Sequence, residues 1–209
     1  LLINPAYAGN HVQLSATAIY RNQWVNFPGA PKTFTASVHS GFRNSRAGLG
    51  LIFGNDQIGV HSDNSLFLAY SYRLPLSKYS KSYLSMGVQG GFNNLKSEFG
   101  KTNPRDADLY GTISNFNPNF GGGVYLRNEK YYVGVSVPYI LNNKLVDVPD
   151  LPSQAQQYRY YYAMAGMTHK VSDKVKVLPS VLVRFQEQAP LSFDFTAILA
   201  LYDVVGIGA

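Results

Sequence analysis

Lys174-Val175-Lys176-Val177-Leu178-Pro179-Ser180-Val181-Leu182-Val183-Arg184-Phe185 is the stretch from which the fold can be read. Val175, Val177, Pro179, Val181, Val183 and Phe185 fall on one face of an extended chain, and Lys174, Lys176, Ser180 and Arg184 fall on the other. Side chains of a strand alternate between faces, so this is one greasy and one polar surface, a contrast that suits lipid outside and water inside. The same period recurs at 12-21, 33-41, 47-54, 62-73, 82-92, 119-127, 131-138, 158-170 and 191-201, with a last segment from Val204. Ten to eleven strands are therefore expected, each near the ~9–11 residues of a membrane strand.

Bulk properties agree with an all-β membrane chain. Of 209 residues, 45% are hydrophobic and 14% charged, below the ~25% of an ordinary soluble domain. Tyr 16, Phe 12 and Gly 19 favour strands, turns and interfacial girdles. No apolar run approaches the ~20 residues of a spanning helix. The mean hydropathy of -0.11 is what a strand with a polar lumenal face produces. Cysteine is absent, which removes thiol nucleophiles, disulfides and cysteine metal sites. The net charge of +6 comes from scattered Lys and Arg without a run, so basic turns beside anionic headgroups explain it better than nucleic acid does.

A soluble sandwich would alternate in the same way, and the connections decide between the two. Short turns are read at 42-46, 74-81, 128-130 and 171-173, and longer loops at 22-32, 55-61, 93-118 and 139-157. Outer-membrane barrels sort their connections in this manner, short in the periplasm and long outside. The expectation is one transmembrane outer-membrane β-barrel domain over 1-209. Residues 1-11 form a periplasmic N-terminal segment in this reading, and 93-118 and 139-157 are long extracellular loops. The chain opens without a charged export region. At the other end Val204 to Ala209 reads as a strand cut short, so further strands, or a partner that supplies them, are expected beyond it.

Arg21, Arg73, Arg127, Arg159 and Arg184, with Asp194, fall on the non-lipid faces, where such ladders fill or polarise a narrow lumen. Arg21, Gln23 and Trp24 stand where the first strand meets an outer loop. A forked donor and a flat apolar anchor could grip a partner there, or equally form an interfacial Trp beside a paired lumenal Arg. His61-Ser62-Asp63 contains hydrolase residue types, but neighbours in a strand point apart and cannot share a proton path. Asp106 and Asp108 lack the later Gly and bidentate Glu of a calcium loop, and four scattered His form no ligand cluster. No catalytic residue, metal site or cofactor is expected.

Several short motifs keep a common order. They are Asn4-Pro5-Ala6-Tyr7-Ala8-Gly9, Tyr20-Arg21-Asn22-Gln23-Trp24, Gly29-Ala30-Pro31, Gly48-Leu49-Gly50-Leu51, Asn55-Asp56, Ile58-Gly59 and Ala69-Tyr70-Ser71-Tyr72. Tyr132-Val133-Gly134-Val135-Ser136-Val137-Pro138 and Leu178-Pro179-Ser180 follow. Together they resemble the PorP/SprF family of the type IX secretion system across essentially the whole chain. The resemblance implies a non-enzymatic outer-membrane barrel of gliding and type IX-secreting bacteria. Some such proteins anchor a secreted surface adhesin by its C-terminal sorting domain, and others associate with the secretion machine. The chain departs from the family in being short. Partners implied are a secreted surface protein, other type IX components and membrane lipid. Arg21, Gln23, Trp24, Asp56 and the loop hydrophobes Phe99, Tyr110 and Phe116 are the candidate partner contacts. A passive or ligand-gated transporter of small molecules is the alternative.

Overall fold

The computed structural model describes residues 1–11, 13–43, 46–77, 82–98, 112–143, 158–202 and 204–209. The chain forms one antiparallel sheet. Its strands are β1 (Ser15–Asn22), β2 (Lys32–Gly41), β3 (Ala47–Ile58), β4 (His61–Pro75), β5 (Tyr83–Glu98), β6 (Thr112–Arg127), β7 (Tyr131–Val137), β8 (Tyr160–Met167), β9 (His169–Ser172), β10 (Val175–Gln186), β11 (Ser192–Leu201) and β12 (Val205–Gly208). Each pairs with its neighbour in sequence, except that β8 and β9 both pair with β10. These two are one strand broken at Thr168, so the wall has eleven positions, as the alternation predicts. Among the described residues β1 and β12 are the edges of the sheet and do not pair with each other.

The sheet is turned inside out relative to a water-soluble protein. Ser71, Ser85, Gln89, Asn93, Ser97, Asn119 and Ser136 are buried on one face. Leu66, Leu68, Tyr70, Tyr72, Met86, Val88, Phe92, Phe120, Val124, Val133 and Val135 are exposed on the other. An exposed apolar face of this extent has no stable place in water, and it fits hydrocarbon. On β4 the outward series runs from Leu66 to Leu76, which at strand rise and barrel tilt covers about 25 Å of membrane thickness. At the Leu66 end it stops at a rim of Phe53, Phe92 and Phe116, the last two rings 4.8 Å apart. Beyond this rim the outward positions turn polar. Asn55 Nδ2 donates to Asn64 Oδ1 at 2.8 Å, and Ser114 Oγ to Asn94 Oδ1 at 2.8 Å.

The strands β3 to β6 therefore continue past the apolar band as paired hairpin arms, which corrects two of the loops expected from sequence. The 55-61 loop is a turn of Gly59 and Val60 between β3 and β4, with Gly59 at φ +59°. In the expected 93-118 loop, residues 93–98 belong to β5 and 112–118 to β6, paired from Asn93↔Asn117 to Glu98↔Thr112. Ladder hydrogen bonds need no hydrophobic contrast, so strands persist where both faces are polar and period-two reading fails. Apart from the Gly59–Val60 turn and the five-residue 187–191 connection, the longer connections fall at one end. The short end carries 42–46, 76–82, 128–130, 173–174 and 202–204, and the other carries 23–31, 99–111, 138–159 and 187–191.

Candidate functional site: the inner face and its long-loop rim

Among the described residues, two pieces of the chain's own backbone cover the inner face of β2 to β7. Residues 1–11 lie across β2 to β7 at the short-turn end, centred on a single 3₁₀ turn at Pro5–Tyr7. Asn4 caps that turn, its Oδ1 accepting from Ala6 N at 2.9 Å while its Nδ2 donates to Val124 O and Val135 O at 3.1 and 3.3 Å. Ser71 Oγ donates to Ala8 O, Ser136 Oγ to Ile3 O at 2.7 Å, and Gly9 N to His39 Nδ1 at 3.2 Å. Tyr7 packs edge-on against His39 and Tyr125. A cavity of about 460 Å³ remains beside residues 1–4, lined in part by Tyr132, Met164 and Leu178.

The second piece is Pro138–Asn143, the first described part of the expected 139-157 loop. It turns inward over β6: Pro138 O accepts from Gln89 Nε2 at 3.1 Å, and Asn119 Oδ1 accepts from Leu141 N at 3.0 Å. Pro138 is fully buried, and Tyr139 meets the buried Phe67 ring edge-on at 5.3 Å. Burial pushes the Tyr139 phenol up to about 12, so it stays neutral at physiological pH.

At the long-loop rim four of the candidate contacts come together. Arg21, Thr33, Asp56 and Asp63 occupy one register row across β1 to β4, and Thr33 Oγ1 donates to Asp56 Oδ1 at 2.7 Å. Gln23 and Trp24 begin the adjoining connection 23–31, which is tied down by its backbone: Gln23 N to Pro31 O, Phe27 N to Trp24 O, Ala30 N to Phe27 O and Gly59 N to Gly29 O, all near 3.0 Å. Trp24 has φ +50°, a left-handed value that a bulky residue holds only when its surroundings impose it, and Asn26, of a type that enters this region readily, has φ +73°. The result holds Trp24 and Phe27 out in solvent, 72% and 68% exposed.

Phe116 stands apart from these residues, on the outward face of β6 against Phe92, so the strand rather than a loop positions it. Phe99, Tyr110, Asp106 and Asp108 lie outside the described residues. His61 Nδ1 lies 2.7 Å from Ser97 Oγ, and Asp63 accepts from Asn93 at 3.4 Å, so neither joins Ser62 in a proton path. Among the described residues no group of three or more His, Asp or Glu could hold a metal. Arg184 and Asp194 form the cross-strand ion pair expected of the lumenal ladder, at 2.9 Å.

An inside-out antiparallel sheet agrees with the comparison with known families. The family model of the type IX secretion system membrane protein PorP/SprF matches residues 1–209. The chain belongs to the PorP/SprF family. Searches among curated proteins and solved structures give no match. PorP/SprF membership makes the chain a type IX secretion system membrane protein, and the sheet shows how a member meets a membrane, through strands. Sequence reasoning missed the inward seat of residues 1–11. The available signal was the pairing of Asn4-Pro5, a capping residue before a turn-former, with glycines at inner positions of β3, β5 and β6.

Proposed function

We propose that this PorP/SprF protein is an outer-membrane barrel that holds, or helps to export, a secreted surface protein at its long-loop rim. In this reading the short-turn end and residues 1–11 face the periplasm. The loop arms of β3 to β6 and the 23–31 connection face outward. The observation that carries the proposal is the 23–31 connection, where a strained, hydrogen-bonded backbone presents Trp24, Val25 and Phe27 to solvent. Rigid exposed aromatics lose little entropy on docking and supply most of the binding energy in many interfaces. Arg21 and Asp56 beside them offer charged groups to set orientation. Free passage of small molecules is the less favoured reading, because the two inward segments occupy the inner face of β2 to β7.

The test is retention of an exported protein bearing a type IX C-terminal sorting domain on membranes that carry the wild-type protein or Trp24→Ala/Phe27→Ala. If either ring is a central anchor, affinity should fall by at least ~2 kcal/mol, about thirtyfold, with insertion unchanged. Equal retention by the two proteins refutes docking at this rim.

A further inference from the structure

The wall reads the N-terminal segment through its backbone, by close approach and by hydrogen bonds to its peptide groups. A Cβ on Gly87 would stand 2.3 Å from Ala6 N, one on Gly48 2.6 Å from Ala8 O, and one on Gly123 2.3 Å from Asn4 Oδ1. The inner positions of β3, β5 and β6 are thus bare where the segment crosses, and Ser71 and Ser136 on β4 and β7 supply donors to its carbonyls. Asn4, Pro5, Ala6, Ala8 and Gly9 are all buried against this track. Among the described residues its contribution to the strand ladder is Gly41 N to His11 O at 2.9 Å. Gln13 and Leu14, which join it to β1, are exposed. The segment is held at one end by an exposed tether and seated by contacts that leave the strand pairing intact.

We propose that this track is a binding site for a peptide that makes a tight turn of small residues after an Asn, occupied in cis by residues 1–11, and that the segment is a releasable stopper of the lumen. The chemistry selects the ligand. Where the segment faces Gly48 and Gly87 only small residues such as Ala6 and Ala8 fit, Tyr7 packs instead against His39 and Tyr125, and an Asn at the fourth position bridges β6 and β7 as no apolar residue could.

Ion conductance across planar bilayers tests this, using the full-length protein, a variant lacking residues 1–11, and Gly87→Val in the intact chain. Both variants should conduct several-fold more than wild type. A synthetic peptide of residues 1–11 added to the deletion variant should restore the low conductance, and the same peptide carrying Asn4→Ala should not. If the deletion fails to insert, a raised conductance in Gly87→Val alone still supports the stopper. Wild-type conductance in Gly87→Val, or in an inserted deletion variant, overturns it, as does a deletion variant that the peptide leaves open.

Discussion

Strands β3 to β7 and strands β10 to β12 carry the same alternation of residue types, yet their inner faces meet different fates. In the first group Ser71, Ser85, Gln89, Asn93 and Asn119 are buried beneath residues 1–11 and 138–143. In the second, Asp194 and Thr196 are exposed, lining an open pocket that Ile3 meets only at its edge. On the outward side the two groups agree, with Phe195 77% exposed and Val88 60%. Alternation sets which side faces lipid, whereas burial of the lumenal side depends on what the chain lays over it.

The largest effect should come from the face the two groups share. Val183, outward on β10, replaced by Arg should destabilise the barrel by roughly 2–4 kcal/mol near the midplane, while Ser180→Arg, on the inner face, should cost much less. Urea titration of folding into lipid vesicles measures both. Equal or reversed costs would mean that the phase of β10 is wrong.

The next effect should separate the filled region from the open one. Gly121→Ala places a Cβ 2.1 Å from Pro138 O and should cost about 1–3 kcal/mol by the same assay. Gly206→Ala on β12 meets Ile198 Cγ2 at 3.4 Å and should change stability by less than about 0.5 kcal/mol. Comparable costs at the two sites would show that the inward segments do not press on the wall. Ser71→Ala removes the donor to Ala8 O and should cost about 1 kcal/mol, with faster hydrogen exchange confined to residues 3–9. Smallest of all, Arg184→Gln breaks a half-exposed ion pair on the open face and should shift stability by at most ~0.5 kcal/mol.

Strand positions and phase were legible because a strand with lipid on one side and water on the other must alternate, and β10 does so at Lys176, Ser180 and Arg184 even though Leu178 and Leu182 share that inner face. Strand ends were less legible. From Asn93 to Glu98 and from Thr112 to Asn115, Leu95 and Ile113 are the only apolar residues, so the pattern vanishes while the ladder continues. The rim was half legible. Arg21 and Asp56 were visible as polar residues at strand ends, and Trp24 as an exposed aromatic, but their meeting depends on the register of β1 to β3. The inner seat was barely legible, in the Asn4-Pro5 pair alone, since Asn4 meets partners 120 and 131 residues away and Asn4–Asn10, small apart from Tyr7, has no period. Glycines that look like ordinary strand or turn glycines acquire meaning only when the crossing segment is seen above them.

Because the chain has no cysteine, single cysteines along β4 can each carry a fluorophore without background, and quenching by brominated acyl chains then reports which side chains meet lipid. Strong quenching is expected at Leu66, Leu68, Tyr70 and Tyr72 and little at Phe67, Ala69 and Ser71, a period of two with this phase. Quenching that is uniform along β4, or strongest at Phe67, Ala69 and Ser71, would contradict the assignment of the apolar face to lipid.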